Sequence, residues 1–169
     1  MAAIEILPLQ KECWREVERI YLEGIATKNA TFETQAPSWE AWDVAHRSDC
    51  RIVAKIDNRI VGWAALSPVS RRSVYAGVAE ISIYVDKECR HQGVGSALMK
   101  AMIEQSEAGG VWTLQAGIFP ENIASIELHK KHGFRILGIR EKIGMMDGCW
   151  RDLAFLERRS KQVVKPLRR

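Results

Sequence analysis

The chain has 169 residues, 47% hydrophobic and 27% charged, with a formal net charge of +4. That length suits one domain whose core needs neither metal nor disulfide. No apolar run reaches the roughly 18–20 residues of a membrane helix, the start lacks a basic-then-apolar leader, and Cys13, Cys50, Cys89 and Cys149 form no Cys-x-x-Cys pair, so a cytoplasmic protein with reduced thiols is expected.

Ala3-Ile4-Glu5-Ile6-Leu7 alternates as a strand does and stops at Pro8. Trp14, Val17, Glu18, Tyr21 and Ile25 recur at helical spacing, which predicts an amphipathic helix from Lys11 to about Thr27. Asn29-Ala30-Thr31-Phe32 reads as irregular. Ser38, ahead of Trp39, Trp42 and Ala45, is placed to cap a second helix. Arg51–Ile56 and Ile60–Leu66 flank Asp57-Asn58-Arg59, a strand–turn–strand pattern. Pro68 to Val78 is the one substantial loop, and it carries Ser70, Arg71, Arg72 and Tyr75.

Ala79–Val85 is a further alternating strand, and 95–108 a helix closed by Gly109-Gly110. Val111–Phe119 reads as a strand ended by Pro120. Asn122 to His132 is a helix with Asn122 as N-cap and Gly133 as its stop. Phe134–Ile143 and Trp150–Leu156 are two strands around Asp147-Gly148. Arg158, Arg159, Lys161, Lys165, Arg168 and Arg169 then follow Glu157, so residues 1–157 are near neutral and 158–169 read as a solvated basic tail. The order β-α-α-β-β-β-α-β-α-β-β predicts a single α+β domain, one mixed sheet flanked by helices, with no repeats and no linker.

The most informative stretch is Arg90-His91-Gln92-Gly93-Val94-Gly95-Ser96, where a strand feeds a glycine loop that opens a helix. Free N–H groups at the helix start and the positive end of its dipole make an anion site. Gly93 and Gly95 would let a phosphate approach without Cβ interference. No Gly-Lys-Ser/Thr follows, which excludes a Walker-type loop, and the third glycine of a dinucleotide fingerprint is missing.

Glu80 interrupts a strand that is otherwise apolar, where a charge is costly unless paired or facing a wet cleft. It is a candidate general base, or else a structural, partner-paired glutamate. His129 and His132 stand three apart without a third ligand at supporting spacing, so no metal is expected. His129 could pack in the core or donate a proton. Cys89 beside Arg90 and His91 has no oriented base, and a nucleophilic role is unsupported.

Together these stretches resemble the GNAT superfamily of N-acetyltransferases over about residues 3–157. Its signature Gln/Arg-x-x-Gly-x-Gly/Ala is matched by Arg90, Gly93 and Gly95. Its second block, Asn-x-x-Ala/Ser-x-x-Leu-Tyr-x-x-x-Gly-Phe, is matched by Asn122, Ser125, Leu128, Gly133 and Phe134, with His129 in place of tyrosine. A narrower resemblance is to phosphinothricin and methionine-sulfoximine acetyltransferases: Glu80 in strand four, Ser125-Ile126-Glu127-Leu128-His129, and Ile143-Gly144 through Asp147-Gly148 to Trp150-Arg151-Asp152. Met146 replaces that subgroup's lysine, and Ser70-Arg71-Arg72-Ser73 departs from its usual loop.

The resemblance implies a mostly antiparallel seven-stranded sheet splayed between strands four and five. It implies acetyl-CoA as co-substrate, its diphosphate on residues 90–96 and its pantetheine arm along Ile83, Tyr84 and Val85, with Asn122 and Ser125 beside it. Glu80 would act as base and His129 as acid toward the leaving thiolate. Ser70, Arg71, Arg72 and Glu80 would contact a small amino-acid-like amine. A homodimer is implied, without nucleic acid, membrane or metal. The rival readings are an acetyltransferase for a protein N-terminus, polyamine or aminoglycoside, a non-catalytic CoA-binding module, and a nucleic-acid binder using the tail.

Overall fold

The computed structural model describes residues 2–164. In chain order the strands are β1 (Glu5–Pro8), β2 (Arg51–Ile56), β3 (Arg59–Pro68), β4 (Val78–Val85), β5 (Thr113–Ile118), β6 (Arg135–Met146) and β7 (Cys149–Arg159), and the helices are α1 (Trp14–Ala26), α2 (Trp39–Ala45), α3 (Val94–Ala108) and α4 (Ile123–Lys131). The strands form one sheet in the order β1-β2-β3-β4-β5-β7-β6. Every neighbouring pair is antiparallel except β4–β5.

Helices cover both faces of β2 and β3, which is why these strands read as nearly continuous apolar runs. Strand alternation sends Ile52, Ala54, Ala64 and Leu66 to one face, where they meet Leu98, Met99 and Met102 of α3. Val53, Trp63 and Ala65 point the other way, to Val17 and Ile20 of α1 and Trp42 of α2. Ser38 caps α2 through Ala41 N–H at 3.2 Å, as its position in the sequence suggested.

The parallel pair β4–β5 is brief. Only Val78–Glu80 faces Thr113–Gln115, after which the strands part. That is the splay expected between strands four and five. At the far end of β4, Asp86 is fully buried and accepts from Arg19 of α1 (2.9 Å), Arg59 of β3 (2.8 Å) and the Glu88 N–H (2.9 Å). Burial opposes its charge, but these donors outweigh it and hold its carboxyl below the usual range. Losing either arginine would leave a buried charge underpaired.

Among the boundaries that differ from those read in the sequence, three have a plain physical cause. Asp57 and Asn58 both have positive φ, so they form a two-residue hairpin turn and β3 already begins at Arg59. Asp147 and Gly148 do the same between β6 and β7, letting the strands pair as far as Met146 and Cys149. The register of β6 also shifts between Arg140 and Gly144, which breaks the alternation that would have marked the strand. Finally, β7 runs on through Arg159. Arg158 bridges Glu107 at 3.0 Å and donates to the His132 carbonyl, so these two arginines belong to the sheet rather than to a solvated tail. Lys165, Arg168 and Arg169 lie outside the described residues. No described helix is long and apolar enough to cross a membrane.

Candidate active site

Where β4 and β5 separate, the sheet opens into two connected chambers. The first, of about 650 Å³, is bordered by Ile83, Tyr84 and Val85 of β4, by Cys89, Arg90, His91, Gly93, Gly95 and Ser96, and by Asn122, Ser125, Leu128 and Lys131 around α4. Ten of the twelve residues expected on the cofactor side therefore share one cavity. The side chains of Gln92 and Val94 do not reach it. Gln92 donates to the Glu88 carbonyl at 3.1 Å, and Val94 is buried in the core at the first turn of α3.

The loop earns its shape residue by residue. Gly93 is the N-cap of α3 at φ +83, a conformation that side-chain-bearing residues resist, and His91 takes φ +61 two residues earlier. Gly95 serves a different purpose. A Cβ there would sit 3.2 Å from Leu128 of α4, so glycine brings the two helices close. Ser96 Oγ lies 2.8 Å from His132 Nε2, tying the same helix start to the end of α4. Free N–H groups of the first turn of α3 thus face a cavity that also contains Arg90 and Lys131. Lys131 was not anticipated, because it follows the helix pattern as an ordinary solvated lysine.

The second chamber, of about 350 Å³, contains Glu80, Gln115, His129 and Arg140, with Phe32, Phe119, Leu153 and Phe155 as apolar wall. It shares Ala30, Ile83, Tyr84, Asn122 and Ser125 with the first, so the two meet at the split in the sheet. Glu80 is exposed to this cleft, which is how a charge is tolerated mid-strand, and Gln115 Nε2 lies 3.4 Å from its Oε2. A third cavity, lined by aromatic rings from α1, α2, β3 and β4, also reaches Glu80.

His129 is only 2% exposed and meets Phe134 edge to face at 4.9 Å. Its Nδ1 lies 2.7 Å from the Ser125 carbonyl oxygen. A carbonyl only accepts, so Nδ1 carries the proton and the neutral ring offers its Nε2 lone pair. Burial pushes its pKa down, the backbone hydrogen bond opposing and His132 adding to the effect. Burial thus favours the neutral ring. Asn122 has the capping role anticipated for it, accepting from Ser125 N–H at 3.2 Å, while its amide donates to the Asn29 carbonyl at 3.0 Å. No group of three metal-ligating side chains occurs among the described residues.

The 29–32 segment, read as merely irregular, roofs the cleft together with Glu33. Phe32 packs edge to face on Phe119 at 4.8 Å and lies against Gly144, where a Cβ would come within 2.7 Å of the ring. Arg151 holds the Lys28 carbonyl at 2.9 Å and stacks over Phe119, and Lys28 pairs with Asp147. The glycine, aspartate and arginine of the terminal motif thus anchor this roof. Ser70 is half-buried, Arg71 and Arg72 are exposed, and none of them borders the three cavities; Arg72 instead stacks over Tyr75. The cation in the Glu80 chamber is Arg140, unnoticed in sequence because it stands where the register of β6 shifts.

Residues 5–134 match the acetyltransferase (GNAT) family. An L-methionine sulfoximine/L-methionine sulfone acetyltransferase of Pseudomonas aeruginosa is 31% identical over 133 residues, covering 79% of this chain and 73% of the relative. An L-amino acid N-acetyltransferase of Escherichia coli is 32% identical over 162 residues, covering 94% and 99%. Among solved structures, a phosphinothricin acetyltransferase of Sinorhizobium meliloti in complex with acetyl-CoA superposes with a TM-score of 0.87 at 27% identity, covering 96% of this chain and 92% of that one.

Proposed function

This chain belongs to the acetyltransferase (GNAT) family, and from that premise we propose that it moves acetyl from acetyl-CoA directly to the amine of a small amino-acid-like acceptor of the phosphinothricin or methionine sulfoximine type. The observation that carries this reading is the meeting of the two chambers at Ile83, Tyr84, Asn122 and Ser125. A donor in one and an amine in the other can react without a covalent enzyme intermediate.

The donor chamber fits the group. N–H groups at the start of α3, with Arg90 and Lys131, would hold a diphosphate. Backbone along Ile83–Val85, freed from β5 by the splay, would hold an amide-bearing arm. Bound there, acetyl-CoA supplies an activated thioester. An amine attacks only when unprotonated, and Glu80 is the group placed to take its proton, directly or through one water. We assign His129 a neutral role, its Nε2 accepting a hydrogen bond from the amine or that water. A backbone N–H of β4 would steady the oxygen on which charge develops. Arg140 would take a carboxylate of the acceptor, the part expected of Arg71 and Arg72.

Three further expectations enter the proposal. The exposed row Ile136, Leu137, Ile139, Ile143 and Met145 on edge strand β6, with Trp150 beside it, supports a homodimer. Four unpaired cysteines support a reducing compartment, the cytoplasm. The anchoring of Arg158 and Arg159 supports an enzyme that acts without nucleic acid.

The test is release of CoA thiol from acetyl-CoA against amino acids, methionine sulfoximine and phosphinothricin, with spermidine and peptides as controls. Turnover with the amino-acid-like acceptors is expected. Turnover confined to peptides or spermidine, or CoA binding with no turnover on any amine, would refute the substrate class.

A further inference from the structure

The third cavity, of about 490 Å³, has a chemical character unlike that of its neighbours. Tyr21, Trp42, Trp63 and Tyr84 wall it. Their rings form a packed set: Trp63 stacks on Tyr84 at 4.9 Å, Tyr21 meets Tyr84 edge to face at 5.0 Å, and Trp42 meets Trp63 edge to face at 5.8 Å. Two carboxylates, Glu33 and Glu80, stand at the same cavity, with Thr31, Gln35 and Ser82. No lysine or arginine borders it among the described residues.

Its one weak base is neutralised by its surroundings. His46 stacks on Trp42 at 4.1 Å, and its Nδ1 lies 2.7 Å from the Trp42 carbonyl, so the neutral ring keeps a lone pair on Nε2. Burial pushes the His46 pKa down, with the backbone hydrogen bond opposing and Arg51 adding to the effect. Burial and the nearby Glu33 carboxylate raise the Tyr21 pKa, so that phenol stays uncharged and the field of the two glutamates is not doubled by phenolate. What remains is a cavity walled by the half-buried Tyr21 and Tyr84, with Trp42 and Trp63 packed behind them, and bearing a neutral imidazole and two carboxylates. That is the complement of an organic cation carried on an apolar stem.

We infer that this cavity is the side-chain subsite of the acceptor and that it selects a distal ammonium or guanidinium group. The inference rests on the proposed acetyl transfer to an amino-acid-like amine at Glu80, and within that class it ranks a basic side chain above the sulfoximine and the anionic phosphinate. Glu80 borders both chambers, so an acceptor with its amine there can direct its carboxylate to Arg140 and its side chain toward the rings and Glu33. The class this defines is a basic α-amino acid. Apolar stem atoms gain contact with the rings, while the cation keeps a carboxylate partner rather than being stripped of one.

Arginine and citrulline separate charge from shape. They differ by a guanidinium against a neutral urea of similar size, and each has a single α-amine to acetylate. With the intact protein and acetyl-CoA, kcat/KM for arginine should exceed that for citrulline by about tenfold or more, as one well-placed charge contact would give. Glu33→Gln should bring the arginine-to-citrulline ratio toward one, and so should raised salt. Calorimetric binding of each amino acid to the CoA-loaded protein supplies a second readout that does not need turnover. Citrulline, norleucine or methionine sulfoximine acetylated as well as arginine would overturn the inference and leave acetyl transfer standing. An arginine preference that Glu33→Gln does not move would also overturn it. Acetyl-CoA binding with no amine acetylated, and no amino acid bound, would refute both readings together.

Discussion

Glu80 and Gln115 face each other on the last rung that β4 and β5 share. Beyond them the sheet opens, so the carboxylate stands at the apex of the cleft on backbone that is paired on both sides, to Ser67 of β3 and to Gln115. Gln115 donates to Oε2 at 3.4 Å, leaving Oε1 to meet a proton from the cleft. A base needs both reach and a fixed bearing, and the role proposed for Glu80 rests on this rung.

Glu80→Gln should therefore preserve folding and CoA affinity while lowering kcat by roughly 10²–10⁴-fold near neutral pH, the usual cost of losing a general base. Thermal melting and calorimetry check the first half, and steady-state rates from pH 6 to 9 the second. A variant with wild-type turnover over that range would make Glu80 a structural residue.

The glycine loop calls for two different substitutions. Gly93→Val forces a β-branched residue to φ +83 in open space, so its damage should fall on the α3 start, raising the CoA dissociation constant at least tenfold, about 1.4 kcal/mol. Gly95→Val instead drives side-chain atoms into Leu128 and should also lower the melting temperature. Unchanged CoA affinity in Gly93→Val would refute the placing of the anion at this turn.

Arg140 and the Arg71–Arg72 pair make rival claims on the acceptor carboxylate. Arg140→Gln should raise KM for an amino acid about tenfold or more, with a smaller effect on the decarboxylated amine, since only the former offers a charge-assisted partner. The Arg71→Ala, Arg72→Ala double variant should change KM less. The reverse ranking would return the role to the exposed loop.

Much of this fold was legible in the sequence because the signals are local. Alternation marked β1 and β4, turn chemistry marked the β2–β3 hairpin, Ser38 and Asn122 announced helix starts, and the family resemblance put Gly93, Gly95, Asn122 and Ser125 at one cofactor site. What escaped is set by tertiary contact. Arg140 stands in an irregular stretch of β6, Phe32 acquires its place only against Phe119 and Gly144, and Arg158 looks like tail until Glu107 meets it. The role proposed for His129 turns on one hydrogen bond. Position in a motif suggested an acid, and the Ser125 carbonyl leaves the ring a lone pair.

The apolar row on β6 should be covered in solution. Ile139 is 49% exposed on edge strand β6, which has no partner on its outer side among the described residues, and Trp150 of the neighbouring β7 is 58% exposed. Ile139→Asp should shift sedimentation from dimer to monomer, because pairing two such edges would bury a charge without a partner. A wild-type monomer at tens of micromolar would refute the dimer.

His129 gives the sharpest pH signature. Its folded pKa is depressed by burial, so between that value and the unfolded value of about 6.5 the unfolded chain binds the extra proton. Stability from the neutral ring is thus complete above about pH 6.5 and is lost as pH falls below it. His46 and His132, also depressed by burial, act in the same direction. His129→Gln should therefore flatten the decline of melting temperature between pH 7 and 5 without abolishing it. In activity, a neutral acceptor at Nε2 predicts a rate that falls on the acid side as the ring gains a proton. His129→Tyr, which restores a hydroxyl donor, should then be no better than His129→Phe by more than a fewfold. Near-complete activity in the tyrosine variant, against a large loss in phenylalanine, would reinstate His129 as the acid.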